Sequence, residues 1–399
     1  MAIPCGPAGD GANLRWISTT LNTPKPNHTA APRLLILPPT CFAHQRTVGG
    51  GERYALEYAR TVARRIPTTL ALFDTKPGLE KDGDLTIRTF TLRDLGPGKT
   101  LHLTPETRAA LRDYDLVHLM WFPTPAGDSL MLSALWNRQP VVLTSVGGGL
   151  PCWSTRLVRL GIRGGLYRFS AGVAHLSRHA ASLETHWRCP QTILFGGADL
   201  GKFNLAQRRF EGYALFVGRL LQHKGVLELV QAVSPTTPLR LVGRPYDPAY
   251  FEALKAAAAG KQVRFSTDAD DAELQRQIGG ANVVLQPSIP IDPLAELLGL
   301  VTIEGMASGK PVIVTRTTSL PELVQDGETG FVVPPYEAEP LRRRIDECVR
   351  DPALAQRLGD AGRRHVESHF TWERTAGRGL ELYRRIRPGN ARWQMPDAA

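Results

Sequence analysis

Short continuous apolar runs, separated by stretches long enough for a helix, constrain this chain most. Arg33-Leu34-Leu35-Ile36-Leu37, bounded by Pro38-Pro39, is followed by Thr69-Leu70-Ala71-Leu72-Phe73 and Leu116-Val117-His118-Leu119. Pro140-Val141-Val142-Leu143-Thr144 and Gly172-Val173-Ala174-His175-Leu176 complete the first series. Beyond about residue 212 the rhythm restarts with Ala214-Leu215-Phe216-Val217, Leu239-Arg240-Leu241-Val242, Val263-Arg264-Phe265, Val283-Val284-Leu285 and Val312-Ile313-Val314-Thr315. Runs this short and this uniformly apolar suit strands buried on both faces of a parallel sheet. Two βαβ series predict an α/β fold with two Rossmann-like doubly wound domains, over residues 32–198 and 199–371. A ligand is then expected in the cleft between them, at the carboxyl ends of the strands. Residues 1–31 carry Gly, Pro, Asn and Thr without periodicity and read as a mobile tail.

Composition narrows the partners. Hydrophobic residues at 42% and charged residues at 22% match an ordinary globular chain and exclude disorder throughout. Lys and Arg number 48 against 38 Asp and Glu, a balance of +10 that favours anionic partners. No aromatic–basic interleaving accompanies the charge, so nucleic acid is not expected. Five scattered cysteines show neither metal-ligand spacing nor a disulfide framework, which fits a reducing, cytoplasmic compartment. The first residues lack the apolar core of a signal peptide, and no apolar run reaches 18 residues, so secreted and membrane-spanning readings are set aside.

The segment Pro287–Pro311 carries the most chemistry. It reads as a Pro-rich loop after a strand, then a helix from about Leu298 to Ala307 closed by Gly309, with Glu296 before the helix and Glu304 within it. Eight helical residues rise about 12 Å, so the two carboxylates cannot share one proton or one small metal site. They suit two separated groups of a long ligand, with helix N-terminal amides between them for an anion. The order carboxylate, anion site, carboxylate matches sugar, diphosphate, ribose. A buried amphipathic helix with two solvated glutamates is the plainer alternative. In the other loop, Gly218-Arg219 and Lys224-Gly225 lie where a strand gives way to a helix, the usual place for phosphate contacts. A basic pair in a loop also reads as surface decoration.

Phe216-Val217-Gly218-Arg219 with Lys224-Gly225, and Glu296-x7-Glu304 within ELLGLVTIEGMASGKPVI, resemble the family-4 retaining glycosyltransferases of GT-B fold. Gly196-Gly197-Ala198-Asp199-Leu200 with Phe203, Pro321-Glu322-Leu323-Val324, Asp326-Gly327 through Pro334, and Phe370-Thr371-Trp372 extend the resemblance. It runs from about residue 33 to 388 and is densest in the second half.

The resemblance implies a nucleoside-diphosphate-sugar donor, a glycan or lipid-linked hydroxyl acceptor, retention at the anomeric carbon, and no metal or other cofactor. Glu304 would bind the donor ribose and Glu296 the transferred sugar, while backbone at Leu298, Gly299 and Leu300 approaches sugar and diphosphate. Arg219 and Lys224 would neutralise the leaving diphosphate, with Gly218 beside them. Gly49, Gly50 and Gly51 resemble the glycine-rich loop of the first, acceptor-side domain. A helix over 372–390 would cross back onto that domain.

Departures from the pattern matter too. Many relatives carry a histidine after the strand that here leads into Ser145-Val146-Gly147-Gly148-Gly149, and many carry glycine near Thr267, beside the base. Asp268-Ala269-Asp270 imitates a metal motif of the other large transferase fold but reads as a helix cap. His118 and His175 lie in apolar strands and read as core, and His44 has no assigned role. Arg156, Arg159, Arg163 and Arg168, set among Leu157, Leu160, Ile162, Leu166 and Tyr167, read either as a solvated face or as a peripheral contact with an anionic membrane. A GT-B-like phosphorylase or epimerase, or a degenerate binding subunit, are the alternative functions.

Overall fold

The structure, a computed structural model, describes residues 31–39, 49–93, 102–120, 125–144, 146, 165–291 and 296–387. The expected tail, His44, the segment holding Arg156, Arg159 and Arg163, and most of Ser145–Gly149 lie outside the described residues.

The first sheet contains β1 (Leu34–Leu37), β2 (Thr68–Asp74), β3 (Gly78–Asp82), β4 (Leu85–Arg93), β5 (His102–Leu103), β6 (Leu116–Leu119), β7 (Val141–Thr144), β8 (Gly172–His175) and β9 (Gln191–Ile193). Its order is β3-β4-β2-β1-β6-β7-β8-β9, with β5 on β4. β1 sits in the middle, and Leu34, Leu35 and Ile36 are wholly buried, as the unbroken apolar run requires. Among the described residues, this half carries the helices α1 (Gly50–Ala63), α2 (Pro105–Leu111), α3 (Pro125–Trp136) and α4 (Arg178–Leu183).

The second sheet contains β10 (Ala214–Val217), β11 (Leu239–Val242), β12 (Val263–Ser266), β13 (Val283–Gln286), β14 (Val312–Thr315) and β15 (Gly330–Val333). Every pairing in it is parallel, in the order β12-β11-β10-β13-β14-β15. That order reverses between β10 and β13, the switch point at which open α/β sheets bind ligands. Its helices are α5 (Val226–Ala232), α6 (Pro248–Ala257), α7 (Asp271–Gly280), α8 (Leu300–Ala307), α9 (Ala338–Arg350) and α10 (Pro352–His369), and the chain closes with α11 (Trp372–Ile386).

Two expectations need correcting. The spacer between β2 and β6 does not hold a simple βαβ crossover: β3 and β4 form an antiparallel hairpin, and β4 pairs parallel with β2. β4 scatters apolar Leu85, Ile87 and Phe90 among Thr and Arg, with Leu85 and Ile87 on one face and Phe90 on the other, so it is not a continuous apolar run. The key helix starts at Leu300 instead of Leu298, because Gly299 adopts φ +67° and ends the preceding loop.

The chain crosses between the two sheets twice, and glycines make the crossing possible. A Cβ on Gly197 would lie 2.5 Å from the Trp372 amide nitrogen, and one on Gly196 would lie 2.6 Å from Leu300. The Ala198 N–H donates to the Phe370 carbonyl at 3.0 Å, and Phe195 meets Phe370 edge-on at 5.5 Å. Beyond this crossing, Trp372, Ala376, Leu380, Leu382 and Tyr383 of α11 share a core with Leu34, Ile36, Tyr54 and Tyr58. Leu298 and Leu300 join the same core, so the start of α8 is seated against the first sheet's side.

Candidate active site

The loops that follow β10 and β13 meet at the switch point. After β10 come Gly218 and the exposed Arg219, then a tight turn over Gln222–Lys224. Gly225 has φ +65°, and a Cβ there would lie 1.9 Å from the Pro287 carbonyl oxygen. Only glycine lets the β10 loop lie directly against the β13 loop. This packing carries Lys224 to Glu296, and the two form an ion pair. Ser288 Oγ and the Gly299 N–H each approach the Glu296 carboxylate at 3.4 Å. The Glu296 carbonyl accepts from Thr318 Oγ1 at 2.6 Å and Ser319 Oγ at 2.9 Å, which anchors its backbone. Burial pushes the Glu296 carboxyl up, but the Lys224 charge and the hydrogen bonds outweigh it and hold the group below the ordinary carboxylate value. Beside Lys224, burial chiefly, with the Lys224 and Arg219 charges, pushes the His223 imidazole down to about 4, so it is neutral at pH 7.

From the first sheet's side, α1 points its N-terminus at the same space. Gly49 caps it, with its N–H donating to the Glu52 carboxylate at 3.0 Å, and Gly50 and Gly51 open the helix. Arg53 follows Gly50 by three residues, which puts both on one helix face. Its Nη2 donates to Glu304 Oε1 on α8. Glu304 is 3% exposed, and its Oε2 is buried without a hydrogen-bond partner. Burial dominates there and raises the Glu304 carboxyl, with the Arg53 charge opposing.

The resulting cleft of about 470 Å³ is lined from both sides. Gly50, Gly51 and Arg53 line one wall, and Gly218, Arg219, Lys224, Glu296, Leu298, Gly299 and Leu300 line the other. Glu304 meets the cleft through Arg53. Two helix N-termini, those of α1 and α8, converge on it together with Arg53, Arg219, Lys224 and Arg244. Partial positive ends and fixed cations so arranged suit an anion. Thr267, Ala269, Val242 and Tyr246 also line the cleft.

Sequence reasoning missed Arg53, His223 and Arg244. A basic residue one turn beyond a glycine-rich loop was the available signal for Arg53. Asp270 does cap α7, its Oδ1 accepting from the Glu273 N–H at 2.7 Å. His118 is core: its ring nitrogens each lie 2.7 Å from a hydroxyl, Tyr383 and Thr144, and burial pushes it down to about 3. His175 is likewise buried, against Gln191 at 2.8 Å. Among the described residues no group of three or more His, Cys, Asp or Glu side chains is arranged to hold a metal ion. None of the described helices is long and apolar enough to cross a membrane.

Residues 202–365 match the family described as Glycosyl transferases group 1. The chain is 30% identical over 232 residues to alpha-maltose-1-phosphate synthase of Mycobacterium tuberculosis H37Rv, covering 54% of this chain and 57% of that protein. It is 29% identical over 241 residues to D-inositol 3-phosphate glycosyltransferase of Streptomyces avermitilis, covering 53% and 51%. The chain thus spans about half the length of the curated relatives it matches. Among solved structures, Anabaena HepE in complex with UDP and glucose superposes with a TM-score of 0.70 at 19% identity, over 88% of this chain and 99% of that one. Sucrose-phosphate synthase from Thermosynechococcus elongatus superposes at 0.67 and 23% identity, over 89% and 99%. These likenesses establish the fold: GT-B, with two Rossmann-like domains facing across a cleft.

Proposed function

We propose that this chain is a glycosyltransferase that moves a sugar from a nucleoside-diphosphate donor to a hydroxyl acceptor, with retention at the anomeric carbon. The convergence of two helix N-termini with Arg219 and Lys224 at the switch point carries the reading, since that arrangement suits a diphosphate. The names of the relatives point the same way: they include a glycosyltransferase and a sugar-phosphate synthase. HepE binds UDP and glucose, and Arabidopsis starch synthase IV binds ADP.

In this reading the bond from the sugar's anomeric carbon to the diphosphate oxygen breaks, and Arg219, Lys224 and the amides of Gly299 and Leu300 stabilise the charge left on that oxygen. The acceptor hydroxyl, on a glycan or a lipid-linked sugar, bonds to the anomeric carbon on the face the diphosphate leaves. Its proton passes to the departing phosphate. Donor binding exchanges the Lys224–Glu296 pair for two separate tasks, Lys224 on phosphate and Glu296 on sugar hydroxyls. Glu304 takes the ribose. Neutralisation rests on these side chains and helix ends, so the reaction is proposed to need no metal. We place the protein in the cytoplasm and read the arginine-rich segment around Arg156–Arg168 first as a solvated face, with peripheral contact to an anionic membrane as the second reading.

The test is thermal unfolding with UDP, GDP, ADP and their sugar conjugates, beside Glu304→Ala and Lys224→Ala. A ligand at about 100 times its Kd adds roughly 2.7 kcal/mol, a rise of a few degrees. One nucleotide is expected to shift the wild type and to shift Glu304→Ala less, and both variants are expected to lose most transfer while staying folded. Wild-type turnover in both variants overturns the site assignment. Release of a sugar phosphate or an isomerised donor, in place of nucleoside diphosphate and a new glycoside, overturns the reaction.

A further inference from the structure

Arg53 is one of the cations around the cleft, and it also makes the one described ion pair that joins α1 of the first domain to α8 of the second. Its guanidinium lines the cleft, while its partner Glu304 is nine-tenths buried or more. A buried carboxylate with a cation on one oxygen and nothing on the other is held in one orientation, with Oε2 waiting for a donor. A vicinal diol supplies such a donor, and a planar guanidinium is better suited than an ammonium to fix the carboxylate plane. Around the pair lie Glu57 of α1, Lys202 and Asp271, the last two paired with each other. Of the two cations that lower the Glu304 carboxyl, Arg53 acts more strongly than Lys202, and it is the one hydrogen-bonded to the carboxylate.

We propose that Arg53 is a positioning residue that orients Glu304 for the ribose hydroxyls of the donor, so that ribose is read only when α1 and α8 are docked together. The inference rests on the nucleotide-sugar reading and deepens it, because it assigns ribose recognition to both domains jointly.

The experiment compares binding of UDP, GDP and ADP with that of their 2′,3′-dideoxy forms, in full-length wild type, Arg53→Met, Arg53→Lys and, as a control on the same helix, Arg60→Met. Wild type is expected to prefer the ribose form of its nucleotide by about tenfold or more, and Arg53→Met to bring the preference within about twofold by weakening the ribose form alone. Arg53→Lys is expected to recover part of the preference, and Arg60→Met to keep all of it. Equal loss of ribose and dideoxy binding in Arg53→Met would make Arg53 a diphosphate ligand or a structural residue, and overturns the proposal. Unchanged ribose preference in Arg53→Met overturns it too, while leaving the donor reading intact. If Arg53→Met does not fold, the Lys variant decides: full wild-type preference there, with no need of the planar fork, overturns the positioning role. No binding of any nucleotide to wild type overturns the donor reading, and this inference with it.

Discussion

Lys310 illustrates how much one residue's environment sets. Its side chain is wholly buried just before β14, its Nζ donates to the Arg209 carbonyl, and it lies 4.2 Å from the Phe210 ring centroid. Burial, with the nearby Arg208 and Arg209 charges, pushes its ammonium down to about 7. A lysine whose folded value is depressed binds fewer protons in the folded chain than in the unfolded one, from about 7 up to the ordinary lysine range. Stability from this site therefore rises with pH through that window and is lowest below it. Lys310→Met should flatten the rise, seen as a melting-temperature difference between variant and wild type that changes across neutral to alkaline pH. A constant difference would show that Lys310 keeps its charge when folded. Such a residue is visible in the sequence as Gly309-Lys310-Pro311, but its burial is not, because the residues that cover it come from the linker about a hundred positions earlier.

At the scale of elements, the helix that carries Glu304 depends on one backbone angle. Gly299 adopts φ +67°, and a Cβ there would lie 2.8 Å from Leu323 and 2.9 Å from Leu320. Gly299→Ala should destabilise the fold by about 2 kcal/mol or more, since the left-handed conformation alone costs roughly 1–2 kcal/mol before the clash. Urea unfolding measures it, and an unchanged midpoint would mean the loop adopts another path. Most of the buried strands were legible as continuous apolar runs. Of the strands that escaped, β3, β4, β5, β9 and β15, the reason is visible for β3, where Leu79, Glu80 and Lys81 are all exposed; β15 is apolar and buried, and its residues were read as part of a motif instead. A strand at a sheet edge gains little from apolar side chains and leaves little pattern to read. The capping role of Asp270 was legible because a cap is local: acceptor and N–H lie three residues apart.

For the whole molecule, α11 completes the core on one face of the first sheet. Tyr383 of that helix hydrogen-bonds Tyr58 at 2.8 Å and His118 at 2.7 Å, all buried, and α11 also packs on Tyr54 through Trp372 at 5.4 Å. A chain ending at Thr371 should expose Tyr54, Tyr58 and Leu34 and lose cooperative unfolding. A truncated chain that melts as the full one does would assign α11 no part in the core. A second tie is Glu322, from the Pro321-Glu322-Leu323-Val324 motif, whose carboxylate accepts the Arg178 and His179 N–H groups of α4 at 2.8 and 2.7 Å.

By itself the sequence determined the strand rhythm, the two doubly wound halves and the loops in which Gly225 and Gly299 make close approaches possible. Those are local properties, since periodicity and the conformational freedom of glycine act over a few residues. Only the tertiary structure decided which charges meet. Lys224 and Glu296 stand 72 positions apart, and Arg53 and Glu304 stand 251 apart. Their pairing follows from the docking of α1 against α8 and of the β10 loop against the β13 loop. Nothing in a helix's own pattern specifies which distant helix end it will face, because that choice is made by the packing of the buried core as a whole.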